Sequence, residues 1–485
     1  MLGWYDAPLV SENTPQSPKR RIASFAILIA VYFIFSYLIP KPASMKPEGW
    51  HFTGLFIAMV LGLVLEPMPG GAFVLLCVTV STIVGGIPIT KALAGYADTT
   101  VWLVMAAFFI SRALINTGLA RRIALFFVRI FGRTSIGVTY ALALSDFSLA
   151  GIIPSNGARS GGVVLPIVRS IAELYGSSPG PTADVLGRYL MMAVYQSICV
   201  TCAMFFTGQA SNPLAAGMAK ELGYTMTVGG WFMAGIVPGM VSLAVIPWVV
   251  MRMSPPTVRK TPAARQFAME QLKAMGGMTG HEKILSAVFV AVCYLWVSKG
   301  SWHNLDITIT ALLGCCALLL TGVLKWEDVR SEKTAWDMFI WYGGLVNLGK
   351  ILNETGVTTE LAKGVVGVFG SQPWPILFAA ALLIYFYVHY GLASITAHLL
   401  AMYTPFVAVL KAQGAPIGLV CYAFACFVNL SAGLTHYGTT PSPMFFAHDY
   451  VSFKDWWRVG FVVSLVNLLI WSTIGFGWWK LIGIW

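Results

Sequence analysis

The chain has 485 residues, of which 57% are hydrophobic and 11% are charged, whereas about 25% of the residues are charged in an ordinary soluble domain. This composition excludes a soluble enzyme. The formal net charge is +11, but the basic residues lie between apolar runs and not in a cluster with interleaved aromatic residues. Nucleic-acid binding is therefore a poor interpretation, and the charge is better explained by membrane topology.

Apolar runs recur along the chain at the length that crosses a bilayer as a helix, about 17–25 residues. Two longer apolar stretches, 134–174 and 374–412, are interrupted by small and polar residues, so each is predicted to be a re-entrant helical hairpin. The fold class is therefore an all-α polytopic membrane protein with two such hairpins. Eleven spans are predicted, near residues 22–39, 50–66, 71–89, 99–117, 187–206, 228–252, 284–298, 306–324, 336–352, 416–434 and 456–478.

Basic residues precede the first predicted span and follow the fourth, sixth and eighth. The positive-inside rule then places the N-terminus in the cytoplasm and, with eleven spans, Trp485 outside. The polar start of the chain predicts neither a signal peptide nor a transit peptide. The eight cysteines lie in apolar runs and are predicted to be core residues, including the lone Cys199–Cys202 pair.

The two halves of the chain repeat each other. The motif at 155–159 recurs at 394–398, 239 residues later, and Thr117-Gly118 recurs as Thr355-Gly356 at 238 residues. Five spans plus a hairpin per unit is an odd number of crossings, so the units are expected to be inverted, as in many secondary transporters. The predicted units are 1–49 (tail and first helix), 50–252 (first repeat, with hairpin 134–174 and broken helix 187–222), 253–283 (cytoplasmic linker) and 284–485 (second repeat, with hairpin 374–412 and broken helix 416–448).

Four polar interruptions fall at matching places in the two repeats. We name them the first tip (154–158), the first break (207–213), the second tip (393–397) and the second break (435–443). Each starts a new half-helix, whose N-terminus carries about half a positive charge. If all four point into one cavity, their sum of about +2 suits a doubly charged anion. The alternative is that each is a packing kink.

Arg159 and His398 occupy the same position in the two repeats, and a charged side chain at this depth is usually functional. The alternatives are a snorkelling arginine and a neutral core histidine. Asp146 is expected to pair with Arg159 or Arg169. The other histidines lack metal-ligand spacing, and Ser394 with His398 lacks the third group of a hydrolytic triad.

Four motifs carry a family resemblance: residues 154–162, 394–398, 434–443 and 455–458. With them the chain resembles the divalent anion:sodium symporter (DASS) family, and within it the dicarboxylate-exchanger branch of citrate/succinate and tartrate/succinate antiporters and plastid 2-oxoglutarate/malate translocators. That family carries Ser-Asn-Thr at each hairpin tip. Here the first tip reads Ser155-Asn156-Gly157 and the second Ser394-Ile395-Thr396.

The resemblance implies an elevator-type exchanger of C4/C5 dicarboxylates such as succinate, malate, fumarate or 2-oxoglutarate, or of citrate or tartrate. It also implies a homodimer in a bilayer, and we expect the bacterial inner membrane. Arg159 and His398 are expected to replace Na⁺ as counter-charges, so Na⁺ is disfavoured and no cofactor or metal is expected. A Na⁺-coupled di- or tricarboxylate symporter is the alternative. The substrate-binding residues implied are Ser155, Asn156, Gly157, Thr207, Gly208, Asn212, Ser394, Thr396, Thr435, Tyr437, Gly438, Thr439 and Pro441.

Overall fold

The computed structural model describes residues 17–42, 45–298, 302–354 and 372–485. Regular structure in those ranges is helical, apart from an isolated bridge between Thr134 and Lys260. Eight helices of the described ranges are long and apolar enough to cross a membrane, or nine if a pair bent by 108° is one span. The all-helical membrane class is confirmed, while the count of eleven stays a prediction. Predicted span 71–89, for example, is a helix of 15 residues, shorter than the ~20 residues that a bilayer needs.

The helices follow the apolar runs closely. Those before the linker are Pro18–Phe33, Pro47–Leu65, Gly70–Val84, Ile89–Ala92, Thr99–Asn116, Leu119–Phe131, Ser135–Ala150, Asn156–Arg159, Leu165–Leu174, Gly187–Met204, Ser211–Glu221 and Val228–Met253. Those from the linker onward are Pro262–Met275, Gly280–Ser298, Ile307–Leu320, Trp326–Ser331, Lys333–Glu354, Trp374–Tyr387, Ile395–Ala412, Ile417–Ser431, Pro441–Phe446, Phe453–Ile470 and Phe476–Leu481. π-helical stretches at Ile34–Leu38, Ser160–Val164 and Trp471–Gly475 continue their neighbours, and short 3-10 turns lie at Ala94–Ala97, Ala183–Val185, Val388–Gly391 and Ala432–Leu434.

Both predicted hairpins have two helical arms separated by a non-helical tip. The second arm of the first hairpin starts after Ser155, whose Oγ accepts a hydrogen bond from the Ala158 N–H at 3.1 Å. In the second hairpin, Ser394 Oγ accepts from the Ala397 N–H at 3.3 Å. A serine in this position satisfies one of the free N–H groups at a helix start. The same capping signal therefore fixes where the second arm begins in both repeats.

An amphipathic helix, Leu119–Phe131, leads into the first hairpin. Its buried face carries Ala124, Leu125 and Val128, whereas Arg121 and Arg129 lie on other faces. This is the stretch that the sequence places between Thr117-Gly118 and Phe131-Gly132. Its counterpart in the second repeat lies outside the described residues.

The linker contains a helix of its own, Pro262–Met275, which packs on Leu119–Phe131. The backbone just before it pairs with the start of the first hairpin, because the Thr261 N–H donates to Arg133 O at 2.8 Å and the Ser135 N–H donates to Arg259 O at 3.1 Å. The linker is therefore bound to the first repeat along its length.

The first segments of the two broken helices, Gly187–Met204 and Ile417–Ser431, form the centre of the protein and are buried almost all round. Two contacts between these segments, one of them to the turn Ala432–Leu434 that follows the second, are reciprocal. Gln196 Nε2 donates to Gly433 O at 2.8 Å, and Cys426 Sγ donates to Ala203 O at 3.8 Å. Gln196 and Cys426 are 230 residues apart in the chain, and so are Ala203 and Gly433, so each contact is the counterpart of the other. Such reciprocity is typical of interfaces with two-fold symmetry.

Candidate functional site

The first tip touches both breaks through one side chain. Asn156 Nδ2 donates to Gln209 Oε1 at 3.2 Å and to Thr439 Oγ1 at 2.9 Å, while Asn156 Oδ1 accepts from the Gly157 N–H at 2.9 Å. Asn156 is 7% exposed. A buried amide with this many partners holds three segments in one arrangement. The structure thus brings the first tip, the first break and the second break together.

Gly157 follows Asn156 and sits against the second break. A Cβ atom at this position would lie 2.8 Å from Thr440 Cγ2, which is closer than side chains pack. Thr440 itself is exposed. The tip can therefore approach the break this closely only because residue 157 has no side chain.

The first break is a tight turn fastened to the first hairpin and to the opposite half. Thr207 Oγ1 donates to Ala150 O at 3.1 Å. Asn212 Nδ2 donates to the carbonyl oxygens of Cys202 and Phe205 at 2.8 Å each, where the first helical segment ends. Asn212 Oδ1 accepts from Asn429 Nδ2 at 2.9 Å. Thr207 and Asn212 are thus both occupied by protein partners.

Gly208 and Gly438 form equivalent turns in the two breaks. A Cβ on Gly208 would lie 2.5 Å from Cys202 O, and a Cβ on Gly438 would lie 2.6 Å from Ala432 O. Since both obstacles are backbone atoms, neither can rotate away. The breaks therefore require glycine for close backbone approach.

The second break is linked to the second hairpin. Tyr437 Oη donates to Tyr390 O at 2.8 Å, and the Thr439 N–H donates to Ser442 Oγ at 3.0 Å. Pro441 is buried at the start of the following helix. Thr435 is fully buried, and its Oγ1 has no hydrogen-bond partner among the described residues. The helix that begins at the second tip, Ile395–Ala412, packs directly on the helix that begins in the first break, Ser211–Glu221.

Arg159 is fully buried, so the snorkelling alternative is wrong. Its Nε donates to Asp146 Oδ1 at 2.8 Å, and Nη1 donates to Ile153 O and Gly208 O at 2.7 Å each. The expected pairing with Asp146 is confirmed. Because Asp146 balances the guanidinium, the pair adds no net charge to the site, which differs from the free counter-charge that the sequence suggests.

The other carboxylate oxygen of Asp146, Oδ2, accepts a hydrogen bond from Thr201 Oγ1. Arg159 Nη2 also lies 3.4 Å from Cys202 Sγ. A buried ion pair is stable only when its remaining hydrogen-bonding atoms are satisfied in this way. The pair therefore ties both arms of the first hairpin to the first broken helix.

His398 lies at the matching position in the second repeat, but its partner differs. Its Nδ1 is 3.1 Å from His389 Nδ1, and His389 Nε2 is 2.9 Å from Gly438 O. If His389 carries its proton on Nε2, its Nδ1 accepts from His398 Nδ1–H, and two neutral rings satisfy this geometry. This favours the neutral-histidine alternative over the expected counter-charge. His398 Nε2 is buried, and no hydrogen-bond partner for it lies in the part of the chain that the structure describes.

The 239-residue offset relates Asp146 to Tyr385. The Tyr385 ring lies 4.4 Å from the His398 ring between centroids. An ion pair in the first repeat is thus replaced by two rings in contact, tilted by 42°, in the second. The symmetry of position predicted for Arg159 and His398 holds, whereas their chemistry differs.

The second tip keeps free polar atoms. Thr396 is half-buried, and the structure gives its side chain no hydrogen bond to any described residue. Ser394 is half-buried and acts as a cap. The whole hydroxyl of Thr396 is therefore available for a ligand, whereas Ser394 already uses its oxygen as an acceptor and keeps only its O–H proton to donate.

Sequence reasoning left three contact residues out of the predicted site: Gln209, His389 and Thr440. Gln209 and Thr440 lie inside the breaks, so their position in the sequence could have identified them as site residues. His389 precedes the second tip, and only its pairing with His398 identifies it. Within the described ranges, no group of three or more His, Cys, Asp or Glu side chains could hold a metal ion.

The site therefore joins two hairpin tips and two breaks, where helices start at Asn156, Ser211, Ile395 and Pro441. Three of these starts lead into long helical segments, but Pro441–Phe446 has six residues. Because a short helix has a weaker dipole, the summed positive field is below the expected +2. The arrangement still offers N–H groups and hydroxyls suited to an anion.

Comparisons with known proteins agree on the family. The model of the sodium:sulfate symporter transmembrane region matches residues 19–485. A putative malate transporter of Bacillus subtilis, YflS, is 40% identical over 467 residues, covering 96% of this chain and 97% of that protein. Dicarboxylate transporter 1 of Arabidopsis thaliana chloroplasts is 37% identical over 485 residues, covering 99% and 86%.

A solved structure shares the fold. MtrF of Neisseria gonorrhoeae, described as one of a class of antimetabolite efflux pumps, superposes with a TM-score of 0.55 at 13% identity, covering 93% of this chain and 97% of MtrF. At that identity the likeness shows the fold alone. The sequence match over nearly the whole chain establishes the family: this chain belongs to the sodium:sulfate symporter (DASS) family and is an integral membrane transporter, not an enzyme.

Proposed function

We propose that the protein exchanges C4/C5 dicarboxylates, such as malate, succinate, fumarate or 2-oxoglutarate, across a bacterial inner membrane without Na⁺. The naming of two relatives as malate and dicarboxylate transporters supports the substrate class. An elevator motion of the hairpins and broken helices, and a homodimer, belong to the same proposal.

The observation that carries this proposal is the bridge from Asn156 to Gln209 and Thr439. It places the first tip beside both breaks, so that hydroxyls, an amide and helix N-termini converge on one region. A carboxylate is recognised by such donors. Two carboxylates of one substrate can then be held by different tips, with Thr396 available at the second.

Na⁺ independence is supported by the contacts of Arg159. Its Nη1 donates to the carbonyl oxygens of Ile153 and Gly208. Backbone carbonyls of this kind are oxygen ligands for hard cations. A guanidinium that already occupies them leaves less room and less attraction for Na⁺, so Arg159 takes the place of a cation even though Asp146 balances its charge.

Counterflow in proteoliposomes tests the proposal. We expect uptake of labelled malate to rise severalfold when the vesicles are preloaded with unlabelled malate, because the positive field of the helix starts is not compensated when the site crosses empty. We expect the same rate with Na⁺ or with choline outside. Preloading with sulfate is the matched control and should not accelerate uptake.

Two results would contradict the proposal. Equal uptake into empty and preloaded vesicles would rule out obligatory exchange. Uptake that requires a Na⁺ gradient would favour the symporter alternative, for which the unpartnered Thr435 Oγ1 offers a buried oxygen.

A further inference from the structure

An open cleft of about 660 Å³ lies between the linker helix Pro262–Met275 and the start of the first hairpin, away from the tips and breaks. Four cationic side chains line it, against one carboxylate. The carboxylate, Glu270, already accepts a hydrogen bond from Gln266 Nε2 at 2.9 Å. The cationic lining residues are Arg133, Lys260, Arg265 and Lys273.

Backbone contacts fix the walls of the cleft. Thr261 donates from its N–H to Arg133 O at 2.8 Å and from its Oγ1 to Gly132 O at 3.0 Å. Arg265 Nε donates to Arg129 O at 3.1 Å. The four cations of the cleft form no ion pair with a carboxylate among the described residues. The site is therefore preformed and its charge is unbalanced.

The linker helix runs along the membrane surface if the next helix spans the bilayer. It meets the helical segment that begins at Gly280 at 108°, and a helix nearly perpendicular to a spanning helix lies in the interface plane. Its residue Met269 lines the cleft and is 48% exposed. The helix on which it packs exposes 49% of Phe126 and 47% of Ile130.

The cleft thus combines unpaired cations with an exposed apolar side chain, Met269, and the neighbouring helix exposes further apolar surface. This combination is typical of the boundary between acyl chains and headgroups. A site for a soluble anion would gain nothing from exposed Phe and Ile. We propose that this cleft binds the phosphate of an anionic phospholipid headgroup in the leaflet that the positive-inside rule predicts to be cytoplasmic. Arg133 holds the phosphate through its planar fork, and Lys260 and Lys273 add point charges.

Retention of phosphatidylglycerol tests this inference. Protein purified in mixed micelles of phosphatidylcholine with increasing phosphatidylglycerol is examined by native mass spectrometry and by its melting temperature. We expect the wild type to keep phosphatidylglycerol and to melt higher with it. Arg133→Gln/Lys260→Gln should bind it about 30-fold more weakly, since each surface cation contributes about 1 kcal/mol.

Two variants make the result specific. Arg20→Gln/Arg21→Gln removes the same charge from the exposed N-terminal end of the first helix and should retain wild-type binding. Glu270→Gln removes the one carboxylate of the cleft and should strengthen binding. Melting in phosphatidylcholine alone shows that each variant is folded.

Equal losses in both double variants would overturn the proposal, because they would indicate general attraction to charge. So would an Arg133→Gln/Lys260→Gln variant that keeps phosphatidylglycerol as the wild type does. Inorganic phosphate and malate should neither raise the melting temperature nor displace the lipid. Stabilisation by either that depends on Arg133 and Lys260 would replace the lipid with a soluble anion.

Discussion

Asn156 and Arg159 are three residues apart on the first hairpin but interact with different groups. Asn156 uses its amide to join the tip to both breaks. Arg159 points into the protein and pairs with Asp146. Both side chains are buried and bonded to protein, but the amide is neutral, whereas a buried charge needs a fixed partner of opposite charge. At this scale, Asn156 joins the segments of the site, and Arg159 supports the first hairpin.

Arg159→Met should lower the stability of the folded protein by about 3–5 kcal/mol, because it leaves the Asp146 carboxylate buried without its partner. The double variant Arg159→Met/Asp146→Leu should recover most of that loss. Arg169→Met is the control, since its pair with Glu173 is exposed and contributes about 0–1 kcal/mol. Thermal melting in detergent measures all three variants. Equal shifts for Arg159→Met and Arg169→Met would show that the buried pair is not a stabilising unit.

Variants of the capping serines should change the stability of the protein, whereas a variant of Thr396 should change its affinity for malate. Ser155→Ala and Ser394→Ala each remove a helix cap and should cost about 1 kcal/mol of stability. The matching Ser→Thr variants should retain most of it. Thr396→Ala removes no described hydrogen bond, so its melting temperature should stay unchanged while malate binding weakens by about 1–3 kcal/mol.

Isothermal titration with malate and thermal melting distinguish these effects. Wild-type malate affinity in Thr396→Ala would mean that the second tip does not contact the substrate.

At the scale of elements, the site depends on how closely a hairpin tip approaches a break. The first tip meets the second break at Gly157 and Thr440. Elsewhere, the first break meets the first hairpin at Thr207 and Ala150. Both contacts are between helical ends, where the backbone has free hydrogen-bonding groups. Small changes of volume there should alter how the segments fit.

Gly157→Ala should reduce transport because its Cβ would overlap Thr440 Cγ2. Overpacking of this kind costs about 1–3 kcal/mol. Thr440→Ser removes the obstructing methyl group and should restore much of the activity in the double variant. Gly162→Ala is the control, because a Cβ there meets nothing within 4 Å. Counterflow of labelled malate is the measurement, and a Gly157→Ala variant as active as Gly162→Ala would contradict the close fit.

At the scale of the whole molecule, the distribution of charge predicts which side each surface faces. The linker and the Arg-rich end of the first hairpin are expected inside, and the loop after the first broken helix outside. The bent linker helix and the open basic cleft would then face the cytoplasm. This orientation can be measured independently of transport.

Single cysteines should report the orientation in a Cys316→Ala background, which removes the exposed native thiol. Lys220→Cys, on an exposed side chain, should react with a membrane-impermeant maleimide in intact right-side-out vesicles. Met269→Cys should react only after the membrane is permeabilised. The reverse pattern would mean that the N-terminus lies outside.

Composition and local spacing determined the membrane class, the two hairpins and the four interruptions. These features depend on residues close together in the chain: apolar runs long enough for a bilayer, Pro and Gly that end helices, and serines that cap the helix three residues on. Ser155 and Ser394 illustrate this, since each bonds to an N–H within its own motif. The helix bounds followed the apolar runs for the same reason.

The tertiary structure decided which partners these residues meet. Asn156 reaches Thr439 across 283 residues, and Asp146 takes Arg159 although Arg169 was an equal choice in the sequence. His389 and His398 pair although no spacing rule joins them. Such contacts depend on which helix faces pack together. The pattern of apolar residues in the sequence predicts which face of a helix is buried, but not which residue of another helix it meets. The sequence therefore determined where the helices break, whereas only the packed helices determined that Arg159 is neutralised and that Asn156 joins the breaks.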